Sequence, residues 1–214
     1  MKCTLLALSA LAASAMATYS SGCSKPSHTK TVTAGGPSAT PTPPAVDNGY
    51  FGVISSRSAS PIHLLSLTAR GGKFYLGGGP PSSYCPAETI GAANCPPGNT
   101  TVLAGGAGTL SLGVVVPGGQ QVYVAPDGAL SYTGAHSAYI PTGSDIDGFS
   151  RTAPTNGNAF GYLNYETGFV ACPAANATEG YQVFGQITTG TFGDDCLGFS
   201  ALSVAVEQPG AWQY

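Results

Sequence analysis

Short apolar runs, each broken by a turn signal, fill the chain from about residue 50 onward. Residues 50–55 and 62–68 come first, and Gly71-Gly72 then turns the chain into residues 73–76. Residues 109–116 alternate, with Leu110, Leu112, Val114 and Val116 on one side, as a half-buried strand requires. Pro117-Gly118-Gly119 ends that run. Residues 121–124 and 129–133 flank Ala125-Pro126-Asp127-Gly128, where Pro presets φ at the first central position and Gly accepts the positive φ that closes the turn. Further β-prone runs lie at 160–165, 168–171, 181–187 and 197–206. No stretch keeps a helical period. The pattern predicts an all-β fold, a single β-sandwich or barrel-like domain over residues 48–214.

The first residues follow another pattern. Met1-Lys2 is a short basic start, residues 4–16 are apolar and small, and Ala15-Met16-Ala17 gives the small–x–small pattern of a cleavage site. The apolar stretch is too short to span a bilayer, so residues 1–17 read as a secretory signal peptide. Residues 18–47 are rich in Ser, Thr and Pro and close with Thr40-Pro41-Thr42-Pro43-Pro44. They hold too little apolar surface to offset the entropy of ordering, and are expected to form a disordered, O-glycosylated stalk. Residues 204–214 carry no hydrophobic tail of the kind that precedes a lipid anchor, so no membrane anchor is expected.

Composition sharpens this picture. The 214 residues include 31 Gly and 17 Pro, which works against long helices. Only 8% are charged, against roughly 25% in ordinary soluble domains, so the surface must be solvated by hydroxyls and amides or by attached sugar. A formal charge of −3 with no basic cluster offers no grip on nucleic acid. Cys3 leaves with the leader. Local disulfides Cys85–Cys95 and Cys172–Cys196 are expected, although spacing alone leaves other arrangements open, and Cys23 remains unpaired in the stalk. Asn99-Thr100-Thr101 and Asn176-Ala177-Thr178 are N-glycosylation sequons in loop-like stretches.

Catalytic chemistry finds few candidates. Three histidines, His28, His63 and His136, lack the spacing of a zinc or copper site, and no metal or other cofactor is expected. Cleavage after Ala17 would expose Thr18, not the histidine that a copper monooxygenase needs. No Gly-x-Ser-x-Gly elbow occurs. Paired carboxylates leave one enzymatic alternative, a small secreted glycoside hydrolase using two of Asp145, Asp147, Glu166, Asp194, Asp195 and Glu207. Against it, these acids read as turn and loop solvation, and no catalytic residue is assigned. Eleven tyrosines and one tryptophan suit carbohydrate binding better, because such rings stack on sugar faces while their polar tips stay wet. Tyr123, Tyr132 and Tyr139 are the candidates for glycan stacking.

Several segments run in one order: Ser58-Ala59-Ser60-Pro61-Ile62-His63, Tyr84-Cys85-Pro86, Cys95-Pro96-Pro97-Gly98-Asn99-Thr100-Thr101 and Val116-Pro117-Gly118-Gly119-Gln120-Gln121-Val122-Tyr123-Val124. Gly128-Ala129-Leu130, His136-Ser137-Ala138 and Ile140-Pro141 follow. Together they resemble the fungal cell-wall protein family named for phialide development (PhiA-like), over roughly residues 50–206. The resemblance implies a secreted, extracellular wall protein of conidium-forming cells, with relatives known as IgE-binding antigens, and implies no enzyme activity. The expected partners are cell-wall polysaccharide or wall proteins, in a structural or adhesive role.

Overall fold

The computed structural model describes residues 49–155 and 157–214. The leader, the stalk over residues 18–47 and Cys23 lie outside the described residues. Eleven strands occur among the described residues: β1 (Tyr50–Ser56), β2 (Leu67–Arg70), β3 (Lys73–Leu76), β4 (Leu103–Leu112), β5 (Gln121–Val124), β6 (Leu130–Tyr132), β7 (Phe149–Thr152), β8 (Gly161–Tyr165), β9 (Phe169–Pro173), β10 (Tyr181–Gly185) and β11 (Leu197–Ala205). One helical turn, α1 (Ala87–Ile90), sits inside the loop that Cys85–Cys95 closes.

All strand pairings are antiparallel, in the order β1-β11-β8-β7-β4-β5-β6-β3-β10-β9, with β2 paired to β3. Two further pairings close this path. β1 also meets β4 (Tyr50↔Ala104, Phe51↔Leu103), and β11 also meets β9 (Leu197↔Ala171, Phe199↔Phe169). The run β1-β11-β8-β7-β4 therefore forms a ring, and the far end of the path returns to β11. Of the two architectures expected, the barrel-like one is formed, and closure leaves the path without free ends to template aggregation.

Alternation explains the core. β1 buries Phe51, Val53 and Ser55, β5 buries Val122 and Val124, and β8 buries Gly161, Leu163 and Tyr165. Tyr165 lies between Phe149 and Phe169, at ring-centroid distances of 5.3 Å and 6.2 Å. Its ring passes so close to Gly148 and Gly185 that a Cβ at either would stand 2.6 Å from a ring carbon. Both disulfides form as the local pairings, Cys85–Cys95 and Cys172–Cys196.

Three elements differ from the sequence pattern. Residues 62–64 form a turn, because the Ser55 hydroxyl donates to the carbonyls of Ile62 and Leu65 and curls the segment so that Ile62 is buried, and Ser66 then bridges Ile54. β4 begins at Leu103, through a Gly-rich stretch, and ends at Leu112. Beyond it, Val114 bridges Ala211 in parallel while Val116 stays buried as expected. β7 has a single large apolar residue, Phe149, and its pairing with β4 and β8 comes from tertiary context.

Candidate functional site

Tyr123 faces outward on β5 because its neighbours Val122 and Val124 take the inward positions. The β5–β6 turn is held by Gly128 N–H donating to the Ala125 carbonyl (2.8 Å) and Ala129 N–H donating to Asp127 Oδ1 (3.0 Å). Residues 134–141 form the next loop. Ser137 N–H donates to the Gly134 carbonyl (3.1 Å), Tyr139 N–H donates to Ser137 Oγ (3.2 Å), and His136 sits at φ 60°, an uncommon conformation for a non-glycine residue. Asp145 then pairs with Val124 through two 2.8 Å backbone bonds, which returns the loop to β5. The result presents Tyr139 with 76% of its surface exposed.

Tyr123 lies within electrostatic reach of Tyr139. Partial burial raises the Tyr123 phenol above its ordinary pKa, nearby Tyr139 and Asp127 add to the rise, and a hydrogen bond with the Ser131 side chain opposes it. Tyr132 does not belong here. It is 5% exposed and meets Phe74 edge-on at 5.3 Å, so its ring is core and has no face free for a sugar. All three residues of β6 are buried, so Tyr132 has no outward side to occupy. Sequence reasoning passed over Tyr84, 60% exposed, and Phe160, 40% exposed, and Tyr162 on the outer face of β8 is 45% exposed.

Asp145, Asp147 and Glu166 share one neighbourhood, because Tyr165 OH donates to Asp145 Oδ2 (2.7 Å), Asp147 N–H donates to Asp145 Oδ1 (2.9 Å) and Glu166 N–H donates to the Gly148 carbonyl (3.0 Å). Asp145 is thus a structural acceptor. The Asp147 N–H bond leads in holding its pKa below the ordinary value, helped by Tyr165 and Gly148 and opposed by partial burial. Burial, then the bond to Asp145, push the Tyr165 phenol well above its usual range. A depressed carboxyl pKa stabilises the fold above the unfolded value near 3.9, and that contribution is lost as pH falls through the folded value. Wild-type thermal stability should therefore drop more steeply than that of Asp145→Asn below about pH 4, followed by circular dichroism. Parallel acid profiles would contradict this role.

Asp194 and Asp195 are exposed in the loop before Cys196. Glu207 lines an open hollow of about 400 Å³ with Pro97, Val102, Val206 and Pro209. A second groove, about 350 Å³, is walled by Ile54, Thr68, Pro80, Pro81, Val102 and Val204 and contains neither a carboxylate nor an aromatic ring. Neither hollow brings two acids together as glycoside hydrolysis requires. Among the described residues no group of three His, Cys, Asp or Glu side chains is placed to hold a metal ion, and no helix is long and apolar enough to cross a membrane. His63 Nδ1 accepts from Arg57 N–H at 3.3 Å.

The profile of PhiA-like secreted proteins matches residues 51–214, the span of the whole closed sheet apart from Tyr50. The chain belongs to the PhiA-like secreted protein family. A protein of Arthroderma benhamiae described as an "uncharacterized secreted protein" is 42% identical over 163 residues, covering 72% of this chain and 79% of the relative. No solved structure matches the chain. Both descriptions are of secreted proteins and neither names an enzymatic activity, in keeping with the two disulfides. In this PhiA-like chain the closely spaced segments quoted above include working structural parts. Gln120, within the Pro-Gly-Gly-Gln-Gln run, is 1% exposed. It ties β5 to residue Tyr214: Gln120 Nε2 donates to the Thr133 and Tyr214 carbonyls (2.9 and 2.8 Å) and Tyr214 N–H donates to Gln120 Oε1 (2.7 Å). The Tyr214 phenol, pushed up to about 12 mainly by burial, donates to the Thr100 carbonyl (2.5 Å) and accepts from Val102 N–H (3.1 Å).

Proposed function

We propose that this protein is a structural or adhesive glycoprotein of the fungal cell wall, without enzymatic activity, that holds wall polysaccharide through Tyr139 and Tyr123. The observation that carries the reading is the 76%-exposed Tyr139, with the outward Tyr123 of β5 within electrostatic reach of it, on a domain with two disulfides. An exposed aromatic ring costs free energy to keep wet, and its flat face matches the axial C–H face of a pyranose. The low charge and the Ser/Thr/Pro-rich segment before the domain support residence in a hydrated polysaccharide matrix. A role in phialide and conidium development, and recognition as an antigen, follow from the same family membership as parts of this proposal.

The reading predicts that Tyr139→Ala weakens retention on the preferred insoluble glycan by about tenfold while leaving the melting temperature unchanged. Tyr84→Ala, equally on the surface, serves as the comparison and should bind as wild type. Undiminished retention of Tyr139→Ala would remove Tyr139 from the account.

A further inference from the structure

We infer that the domain carries its N-linked glycan on Asn176, and that folding withholds the second sequon, at Asn99. The inference rests on secretion and not on the wall-binding reading. Asn99 and Asn176 are both exposed, so exposure does not separate them. Their hydroxyl partners do. In the 176–178 sequon every residue is exposed, and the Thr178 hydroxyl reaches the carboxamide itself: Thr178 Oγ1 donates to Asn176 Oδ1 at 2.8 Å, and Thr178 N–H donates to the same oxygen at 3.2 Å. In the 99–101 sequon the Thr101 side chain is 7% exposed, and its Oγ1 accepts from Ala69 N–H at 2.8 Å. Val102 and Leu103 behind it are core.

The order of synthesis reinforces the difference. Ala69, the Ser83 hydroxyl that donates to the Gly98 carbonyl (2.6 Å) and both members of the Cys85–Cys95 bridge all precede Asn99, so the structure that consumes Thr101 can begin forming as the sequon appears. Gly98 N–H to the Gly210 carbonyl (2.7 Å) and Tyr214 OH to the Thr100 carbonyl then seal the segment. Asn176 stands in the opposite situation. Its loop is closed by Cys172–Cys196, and Cys196 emerges only after it. The segment is therefore open when the transferase meets it and remains on the surface afterwards. In the transfer, Asn176 Nδ2 loses a proton and bonds to C1 of the oligosaccharide. The C1–O bond to the lipid pyrophosphate breaks with its electron pair leaving on that oxygen.

The test is site occupancy by glycopeptide mass spectrometry on full-length protein secreted from a fungal host, with enzymatic deglycosylation in oxygen-18 water marking each occupied Asn. Asn176→Gln should lose the entire deglycosylation-sensitive mass shift, and Asn99→Gln should lose none of it. A Cys85→Ser/Cys95→Ser variant, read in the cell extract so that failed secretion does not hide it, should gain occupancy at Asn99. Occupancy at Asn99 equal to or above that at Asn176 in wild type, or neither site occupied, would overturn the inference. An unchanged Asn99 in the cysteine variant would overturn the folding explanation.

Discussion

Phe51→Ala is expected to lower the stability of the domain by about 4 kcal/mol, the largest effect of any single truncation considered. Phe51 is fully buried on β1, at a register position where that strand pairs on both sides, with Ala205 of β11 and Leu103 of β4. Its ring therefore fills the core at the seam that closes the ring of strands. Removing it costs the transfer free energy of a benzyl group and leaves a cavity whose walls are hydrogen-bonded strands with little freedom to collapse. The Arg151 guanidinium also lies 4.3 Å above the ring centroid, and loses that contact in a partly buried setting. Phe51→Leu keeps most of the volume and should cost about 1–2 kcal/mol. Urea unfolding checks both. Equal costs for Ala and Leu would mean that the seam, and not the packing, sets the penalty.

Gln120→Ala should cost about 3 kcal/mol, lowering the melting temperature by about 6–12 °C. The amide of Gln120 serves three backbone groups at once, the carbonyls of Thr133 and Tyr214 and the N–H of Tyr214. Truncation deprives all three and opens a cavity in the core. Each buried group left without a partner costs about 1–3 kcal/mol, and water reaches Tyr214, half-exposed, more readily than Thr133. Gln120→Glu separates polarity from shape, because the carboxylate fits the space yet cannot donate to the two carbonyls. It should be as damaging as alanine at neutral pH. A melting temperature within about 2 °C of wild type for Gln120→Ala would show that the 209–214 segment contributes little to the fold.

Strands were legible where alternation and a turn coincide. β1, β5, β8 and β10 lie within or almost within the apolar runs that signal them, and the Gly71-Gly72 and Pro126-Asp127 turns stand where the residues put them. The misses have physical causes. Residues 103–108 carry no alternating signal because half of them are glycine, yet Gly106 is required there: a Cβ would stand 2.6 Å from that of Arg151, so β4 depends on the closeness of β7. Residues 62–66 carry β-prone side chains, but the Ser55 hydroxyl captures two of their carbonyls, a competition invisible in periodicity. Closure of the sheet through β1–β4 and β9–β11 joins distant segments and leaves no local signature.

The candidate site was legible in type and only partly in membership. Tyr123 sits at an outward position of a clearly alternating strand. Tyr132 belongs to a three-residue strand buried on both faces, where alternation has nothing to report. The closeness of Tyr139 to Tyr123 arises from a loop pinned by the Asp145–Val124 pairing, which no spacing rule anticipates. In the same loop the Asp145 carboxylate accepts from Tyr165 OH and from Asp147 N–H, which gives it a structural part in the turn.

Sedimenting the full secreted protein with insoluble β-1,3-glucan, chitin and cellulose, with reducing ends assayed in the same tubes, separates wall binding from hydrolysis. Retention on at least one glycan, with reducing ends at the level of the glycan alone, is the predicted result. Failure to sediment with any of them, or reducing ends that rise with the protein and vanish on Glu166→Gln, would contradict it.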